Sequence, residues 1–487
     1  MKRWFKRKRF WVILFILIYA SIITYHQLKP LPNNIAYRGE SHIIGHNDIE
    51  FLYDLTYQKD GSNKYDQEIF NEVYQTIEEA EHFLILDFFM MNESSSSGQD
   101  FPNISETLSK KLVQQKEKYP NLKVVFITDP INTTYSSHMA QHIKPLKDAG
   151  IEVVYTDLER LRDPNPLYSG IWRMVFQWFG QEGNGWVPPN PFGSETPDVT
   201  VRSYLKLLNI KANHRKVIVS ENNGLILSAN PHDASGYHSN IGFKVKGNIL
   251  KDIIESEKAV ASFSGGNLDA FPNLQDLEAI DFSSKAVAED SAKVQLVTEQ
   301  QIQQATIESI IHTKKDDEIW LGMFYLADRD VVDALKNAAD RNVKIHLILD
   351  PNQNAFGNEK IGLPNIPIAS ELVAENKENI TVKWYETNKE QYHSKILFVK
   401  TEESGSIVAG SSNFTSRNLN NYNLESNLYI TSRSDTAIIK DVESYFHRIW
   451  NNEDGIYTVE YDKYADSMPI IKRVVYTLQK ITMFTTY

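Results

Sequence analysis

The chain has 487 residues, of which 41% are hydrophobic, and it contains no cysteine. This length and composition suffice for two globular domains and exclude an intrinsically disordered chain, and the absence of cysteine excludes disulfides, thiolate metal sites and a cysteine nucleophile. The net charge is −12; six basic residues lie before residue 26, and the remainder carries 45 basic and 63 acidic side chains, a net charge of −18 that disfavours non-specific binding of nucleic acid.

The first 45 residues predict a membrane anchor. A basic segment, 1–9, precedes an uncharged apolar run at 10–25. Because basic residues stay on the cytoplasmic side, this pattern predicts a single-pass protein of the bacterial cell membrane whose remaining residues lie outside the cytoplasm. A cleaved signal peptide is the alternative, although no clear Ala-x-Ala site follows the run. Residues 26–45, which include Pro30 and Pro32, are predicted to form a tether.

Strand and helix patterns alternate through the first half of the chain. Apolar, β-branched runs predict strands at 49–57, 83–91, 122–128 and 151–156. Helical periodicity is found at 65–80 and 104–119, and a flexible loop is predicted at 94–97. Asp129-Pro130 follows the third strand.

The second half repeats this order. Strands are predicted at 294–297, 319–326, 343–349 and 380–385, and helices at 299–312 and 331–341, with Asp350-Pro351 in the place of Asp129-Pro130. The alternation predicts an α/β fold of two fused, similar lobes, an internal repeat in which each lobe has a mixed, mostly parallel sheet flanked by helices. Ligands of such sheets bind at strand ends, here at the lobe interface.

These patterns divide the chain into a first lobe at 46–265, a linker at 266–292 and a second lobe at 293–455. The protein is predicted to be a monomer whose lobes form an internal pseudo-dimer. The remaining residues, 456–487, contain an amphipathic pattern at 470–484 that predicts a C-terminal helix, either docked on the rest of the chain or lying on lipid.

The first lobe carries an insertion at 158–204 that the second lobe lacks. A helix is predicted at 171–179, and the insertion is rich in aromatic residues and proline: Trp172, Phe176, Trp178, Phe179, Trp186, Pro188, Pro189 and Phe192. One interpretation is an elaboration that packs on the first lobe. The other is a lip that contacts acyl chains or the membrane surface, where tryptophan is favoured.

A His-x-Lys phrase begins one strand pattern in each half. Residues two apart on a strand share a face, so His214 and Lys216 point the same way, as do His393 and Lys395. One such phrase is usually a solvent-facing pair, but two with matching flanks indicate a function. An Asn follows small residues downstream of each phrase, at Asn230 and at Ser411-Ser412-Asn413. Imidazoles, ammonium groups and amides from both halves would suit one phosphate.

The paired phrases resemble the phospholipase D superfamily, whose signature is His-x-Lys, then Asp after four residues, then a Gly/Ser-Asn segment, present twice. The resemblance covers most of residues 45–455. It rests on nine residues: His214, Lys216, Asn230, His393, Lys395, Ser411, Ser412, Asn413 and Glu425. The chain departs from the signature at the Asp position, where it has Glu221 and Lys400, and it has Asn240 in the place that corresponds to Glu425.

This resemblance implies chemistry through a phosphohistidine. His214 is expected to attack phosphorus and His393 to act as the acid and base, since the first histidine of the family is often the nucleophile. Lys216 and Lys395, with the amides of Asn230 and Asn413 and the hydroxyls of Ser411 and Ser412, would bind the phosphate oxygens. Glu425 would orient one imidazole and Asn240 the other, and Glu221 would play a supporting role. No cofactor and no metal are required.

The expected activity is that of a membrane-anchored phosphodiesterase or phosphatidyltransferase. It would act on a phospholipid, with water or an alcohol as acceptor, as cardiolipin synthases of the superfamily do. An extracytoplasmic nuclease with the same chemistry is one alternative, and a non-catalytic binding protein with the same fold is another. The loop residues His232, Asp233 and His238 are interpreted as polar groups around the pocket rather than as metal ligands.

Overall fold

A computed structural model describes the chain over residues 2–93, 100–180, 183–187, 190, 196–282, 290–355, 358–375 and 378–465. Several sequence predictions fall on residues outside these ranges: the loop at 94–97, Pro188, Pro189 and Phe192 of the insertion, part of the linker, and the C-terminal helix at 470–484.

The first half of the chain contains eight helices and ten strands among the described residues. The helices are α1 (Lys2–Leu28), α2 (Ile69–Glu79), α3 (Ile104–Lys118), α4 (Lys144–Asp148), α5 (Pro166–Met174), α6 (Val201–Leu207), α7 (Ile249–Phe263) and α8 (Leu274–Glu278). The strands are β1 (His42–Gly45), β2 (Ile49–Tyr53), β3 (Leu55–Lys59), β4 (Ser62–Asp66), β5 (Phe83–Phe88), β6 (Lys123–Thr128), β7 (Glu152–Tyr155), β8 (Lys216–Ser220), β9 (Gly224–Leu227) and β10 (Ile241–Val245).

The second half contains six helices and ten strands in its described part. The helices are α9 (Gln300–Ile311), α10 (Arg329–Asp340), α11 (Asn365–Glu375), α12 (Ser416–Leu419), α13 (Ala437–Asn451) and α14 (Asp462–Ala465). The strands are β11 (Ser291–Thr298), β12 (Glu318–Met323), β13 (Lys344–Leu349), β14 (Asn354–Ala355), β15 (Asn358–Glu359), β16 (Ile380–Tyr385), β17 (Lys395–Lys400), β18 (Ser404–Gly410), β19 (Ser426–Arg433) and β20 (Thr458–Glu460).

Two large sheets carry most of these strands. The seven-stranded sheet has the order β2-β10-β9-β8-β5-β6-β7, and the nine-stranded sheet has the order β1-β11-β19-β18-β17-β12-β13-β16-β20. The run from β10 to β7 and the run from β19 to β16 have the same succession of antiparallel and parallel pairs. The two His-x-Lys strands, β8 and β17, hold equivalent places in the two runs.

The sheets are not mostly parallel, so this part of the predicted fold class is wrong. Within the described residues, each sheet has two parallel pairings, β5-β6-β7 in one and β12-β13-β16 in the other. The remaining pairs are antiparallel. Among them, β8-β9 and β17-β18 are joined by short turns, which only an antiparallel hairpin fits. A mixed α/β fold remains the correct description.

Both sheets contribute to one apolar core, which lies between them and includes Val217 and Phe243 of one sheet and Ile396 and Leu428 of the other. Helices α7 and α13 supply further residues to this core. A separate apolar cluster lies under α2 and α3, and another under α9, α10 and α11. The His-x-Lys strands are fully or almost fully buried at the centre of this arrangement.

Helix α1 is the part of the described chain that is long and apolar enough to cross a membrane, at residues 7–28. Those 22 residues would extend about 33 Å, close to the roughly 30 Å of a hydrocarbon core. The chain after α1 is hydrogen-bonded to the folded body, since Ala36 N donates to Glu299 Oε2 over 2.7 Å and β1 pairs with β11. The segment that was predicted to be a tether is thus in contact with the second sheet.

Local boundaries differ where tertiary contacts override the sequence pattern. The predicted strand at 49–57 is divided into β2 and the start of a β3-β4 hairpin, and α2 begins only at Ile69. The buried carboxylate of Asp54 accepts hydrogen bonds from Glu68 N and Ile69 N, which fixes this helix start. In the insertion, the helix covers Pro166–Met174 and not 171–179.

Candidate active site

The two His-x-Lys phrases lie where the two sheets meet. His214 N donates a hydrogen bond to Leu424 O over 2.8 Å, and His393 N donates to Ser239 O over 2.8 Å. Each phrase thereby forms a short parallel bridge to the other half of the chain, Asn213 with Leu424 and Ser239 with Tyr392. These bridges bring the residues that follow, Glu425 and Asn240, next to the histidines.

Each imidazole takes its Nδ1 partner from the opposite half. His214 Nδ1 lies 3.0 Å from Glu425 Oε2, and His393 Nδ1 lies 3.1 Å from Asn240 Oδ1. Because both partners accept, Nδ1 carries the hydrogen in each ring and Nε2 presents its lone pair when the ring is neutral. One histidine is therefore oriented by a carboxylate and the other by an uncharged amide.

The orienting groups are themselves fixed by serines at matching places. Ser411 Oγ donates to Glu425 Oε2 over 2.5 Å, and Ser228 Oγ donates to Asn240 Oδ1 over 3.2 Å. Asn418 donates its side-chain amide to the other oxygen of Glu425. The hydroxyl hydrogen of Ser411 is thus engaged by Glu425, so this geometry gives Ser411 a positioning contact in place of the expected phosphate contact. Ser412 Oγ likewise donates to Asn413 O over 3.1 Å.

Lys216 and Lys395 are fully buried close to each other and to Glu425. Each ammonium group donates to the carbonyl of its own histidine, Lys216 Nζ to His214 O over 2.6 Å and Lys395 Nζ to His393 O over 2.7 Å. Burial lowers the pKa of Lys216 to about 7, and burial together with Lys216 lowers the pKa of Lys395 well below its ordinary value. Two buried cations held near each other form a site that an anion would stabilise.

Burial and the neighbouring charged groups also shift the pKa values of the two imidazoles. Burial lowers the pKa of His214 to about 4, although Glu425 opposes the shift, and burial together with Lys395 lowers the pKa of His393 well below its ordinary value. Both rings are therefore neutral near pH 7 while no anion is bound. A neutral Nε2 is the form that attacks phosphorus. Phe89 and Phe324 pack against the two rings, each with its ring centroid 5.1 Å from that of the histidine.

Asn230 and Asn413 occupy matching, nearly buried positions, each 5% exposed. In the described part of the chain, the side-chain oxygen of each has no hydrogen-bond partner. Buried amides are normally satisfied, so these free acceptors suit a donor on a ligand, whereas a phosphate oxygen would need the N–H groups of the same amides. The structure thus brings together the two phrases, Glu425, Asn240 and the small-residue segments.

Glu221 and Lys400 do not join this group. Both follow the His-x-Lys strands at the end opposite to the histidines, and Glu221 accepts from three backbone N–H groups at the start of β5: Glu81, His82 and Phe83. Lys400 instead forms an ion pair with Glu443. The supporting role expected for Glu221 is thus a contact with the backbone of the neighbouring strand, about five residues of strand away from Lys216.

Two aspartates that the sequence prediction did not place in the site hold the phrases in position. Asp129 Oδ2 accepts from Asn213 N over 2.8 Å, and Asp350 Oδ2 accepts from Tyr392 N over 2.7 Å. Each aspartate thus fixes the residue before a histidine. Burial raises the pKa of both carboxyls to about 7. The repeated Asp-Pro pair was the sequence signal that would have identified them.

Arg215, which lies between His214 and Lys216, points to the opposite face of the strand into a buried acidic network. Its guanidinium donates to Glu257 Oε1 over 3.1 Å and to Glu299 Oε1 over 2.9 Å. Glu299 Oε1 also accepts from Glu425 N over 3.0 Å. The network therefore links Arg215, the residue after His214, to the backbone of Glu425, which orients that histidine.

The three polar residues of the following loop have structural partners, and that of His232 is the hydroxyl of Ser235, which lies 3.4 Å from its Nδ1. Asp233 Oδ1 accepts from the backbone N and the hydroxyl of Ser105 at the start of α3, both over 2.8 Å. His238 Nδ1 accepts from Gln391 N over 3.2 Å, and its ring centroid lies 6.0 Å from that of His393. His238 therefore borders the site as a neutral ring, and burial lowers its pKa to about 3.

The second sheet matches a known family. Residues 287–450 match the family model described as cardiolipin synthase, PLD-like domain. This range includes His393, Lys395 and Glu425 and ends before the C-terminal segment. None of the curated proteins matches the sequence of the chain.

Solved structures extend the likeness of the fold to the whole chain. Phosphatidylserine synthase of Haemophilus influenzae has a TM-score of 0.56 at 10% sequence identity, over 96% of this chain and 98% of that chain. Polyphosphate kinase of Porphyromonas gingivalis has a TM-score of 0.43 at 11% sequence identity, over 90% of this chain and 56% of that chain. Nuc, a phospholipase D family member of Salmonella typhimurium, has a TM-score of 0.26 at 18% sequence identity, over 34% of this chain and 97% of that chain. These two lower scores carry no conclusion. The family match of residues 287–450 and the fold shared with phosphatidylserine synthase support the resemblance of the chain to the phospholipase D superfamily.

Proposed function

We propose that the protein is a phosphodiesterase or phosphatidyltransferase that acts on phospholipids through a phosphohistidine. The observation that carries the proposal is the pair of oriented histidines with two buried lysines, in which His214 is held by Glu425 and His393 by Asn240. A phosphodiester is protected by its negative charge, and two ammonium groups at one place neutralise that charge. The family description of residues 287–450 favours a phospholipid as the substrate.

In the first step, His214 Nε2 attacks phosphorus and the bond from phosphorus to the leaving alcohol oxygen breaks. His393, protonated when the anionic diester enters, gives its Nε2 proton to that oxygen. The new N–P bond leaves a positive charge on the His214 ring, and Glu425 stabilises this charge through Nδ1–H. The carboxylate therefore stands beside the ring that needs it, which supports His214 as the nucleophile.

In the second step, neutral His393 takes a proton from water or from an alcohol, and the resulting oxygen attacks phosphorus and displaces His214. Water gives hydrolysis and an alcohol gives transfer of the phosphatidyl group. Asn240 Oδ1 accepts from Nδ1–H of His393 whether the ring is neutral or charged. An uncharged partner thus suits a ring that must change its protonation state twice in each cycle.

The location of the protein is part of this proposal. Helix α1 would cross the bacterial cell membrane once, with its basic start in the cytoplasm and both sheets outside. The two sheets would act as one pseudo-dimeric unit within a monomer, since each needs a residue of the other at its histidine. The strand order that they share supports this arrangement.

The test uses the full chain in proteoliposomes of mixed phospholipids, with and without glycerol, followed by lipid mass spectrometry. We expect phosphatidic acid or a new phosphatidyl alcohol, lost in His214→Ala and retained in His312→Ala, a control at an exposed histidine of the second half. An acid-labile phosphatidyl group on the unaltered chain, absent in His214→Ala, would identify the intermediate. Unchanged lipids together with metal-independent DNA cleavage would replace the proposal with the nuclease alternative.

A further inference from the structure

Helix α5 of the insertion packs directly on the membrane-spanning segment. Gly170 of α5 lies so close to α1 that a Cβ atom there would come within 2.5 Å of the Tyr19 ring and 2.8 Å of Ile23. The Tyr19 hydroxyl donates to Leu167 O, and Asp163 N donates to His26 O over 3.1 Å. A glycine at this contact lets the two helices approach closely, as small residues do between helices in membranes.

The contact lies within the span and not beyond its end. The contacted residues are Tyr19, Ile23 and His26, while the apolar segment continues to Leu28. At 1.5 Å per residue, Tyr19 lies about 13 Å along the helix from Leu28. If the span fills the roughly 30 Å hydrocarbon core, α5 must lie beside the half of the span that ends at Leu28.

The polarity of α5 is the reverse of that of a surface helix on a soluble protein. Leu167, Ile171 and Val175 form one outward stripe and are 58%, 43% and 45% exposed. The inward side carries Arg173, which is buried and donates to Asp163 over 2.7 and 2.8 Å. Apolar residues outside and paired charges inside are what a helix needs when lipid surrounds it.

Large aromatic residues extend this outward surface beyond the helix. Trp178 and Phe179 are 71% and 69% exposed, and Trp186 is 59% exposed. Arg160, whose side chain is 66% exposed, lies in the turn that precedes α5. Exposed tryptophans and cations are both typical of the level of lipid head groups.

We propose that α5 and the aromatic turn after it insert into the outer leaflet of the bilayer, beside α1. This inference rests on the proposed location of α1. The partner of the exposed apolar surface is lipid, because that surface is continuous with the surface of the spanning helix. The buried Lys211–Asp163 pair, with Nζ and Oδ1 2.6 Å apart, joins this element to the segment that leads to His214. The insertion would therefore hold the site at a fixed distance from the head groups.

The test exploits the absence of cysteine. Single variants Leu167→Cys and Trp178→Cys, in the full chain in phosphatidylcholine–phosphatidylglycerol vesicles, receive a polarity-sensitive fluorophore and are quenched with doxyl-labelled lipids. Leu274→Cys is the matched control, a leucine that is 74% exposed on α8. The control lies at the opposite end of the sheet from α5. Asp276 of α8 is paired with Lys123 at the start of β6, whereas α5 follows the final residues of β7, which is parallel to β6.

We expect doxyl lipids to quench the fluorophores at 167 and 178 at least threefold more strongly than the fluorophore at 274, with unchanged thermal unfolding midpoints. Equal quenching at all three positions would overturn the proposal. Because the readout is lipid contact, it is independent of whether any lipid is turned over. As a second arm, Trp178→Ser should lower turnover of vesicle lipid at least fivefold while leaving that of a soluble short-chain lipid within twofold; equal losses on both substrates would also overturn it.

Discussion

Replacing Glu425 by glutamine tests the assignment of roles to the two histidines. The substitution keeps the size of the side chain but removes the charge that faces His214 Nδ1 over 3.0 Å. When His214 bonds to phosphorus, its ring becomes a cation. At a charge separation of about 4 Å and an effective dielectric constant of about 20, the attraction to a carboxylate is about 4 kcal/mol.

The amide dipole of glutamine would restore part of this attraction, so we expect a net loss of about 2–4 kcal/mol in the transition state. At about 1.4 kcal/mol for each factor of ten, the rate of phosphoenzyme formation should fall about 30- to 1,000-fold. Asn240→Asp should instead raise the pKa of His393 and slow the second step, because that ring must lose its proton to act as the base.

The assay is a single-turnover measurement with radiolabelled phospholipid, quenched in base and followed by counts on protein. Glu443→Gln is the matched control, since this glutamate is paired with Lys400 at the far end of β17. A rate within threefold of that of the unaltered chain in Glu425→Gln would refute the reasoning. So would a larger loss of phosphoenzyme formation in Asn240→Asp, which would move the nucleophile to His393.

Three further predictions follow from the charges in and around the site. Since burial lowers the pKa of Lys216 to about 7, rising pH removes the charge that binds phosphate, and kcat/KM should fall above about pH 7. In Lys216→Arg, kcat/KM should be lower but should no longer show this fall at alkaline pH. An unchanged fall in that variant would contradict the assignment. Lys395→Met should abolish activity yet raise the free energy of unfolding by about 2 kcal/mol, as measured by urea denaturation. The pKa of Lys395 is lower in the folded than in the unfolded chain, so the unfolded chain binds more protons. The gain in stability should therefore be complete below the folded-state pKa and shrink as the pH rises towards 10.5. Glu221→Ala should leave turnover within twofold but cost about 1–2 kcal/mol of stability, because three backbone N–H groups lose their acceptor; a tenfold loss of activity would return Glu221 to the site.

The element pattern was predictable where β-branched and apolar residues recur along a strand, either throughout it or at alternate residues, as at 380–385. The strand at 380–385 has the predicted bounds, and β12 and β13 agree to within a few residues. Strand direction was not predictable from alternation alone, because the hairpins of β8-β9 and β17-β18 turn the second part of each sheet antiparallel. Hairpin β3-β4 was missed because its second strand is mostly polar and exposed. Helix α7 was not predicted either.

The residues of the site were predictable because their spacing repeats, but their pairing was not. Sequence order places Glu425 in the same half as His393, whereas the bridge between Asn213 and Leu424 delivers it to His214. Ser411 has a hydroxyl that suits a phosphate, and only the position of Glu425 explains why it is used elsewhere. The repeated Asp-Pro pair marks Asp129 and Asp350 in the sequence, but the backbone groups that they fix lie more than forty residues further on, so the pair alone does not reveal these contacts.

The crossed contacts at Nδ1 have a consequence for the division of labour between the histidines. Neither sheet orients its own imidazole, so neither could work without the other. Two identical chains related by a two-fold axis would have to offer the same partner to both rings, carboxylate twice or amide twice. A single polypeptide that contains both sheets is free of this constraint. It can tune one ring for holding positive charge and the other for exchanging protons, by changing one residue at a time.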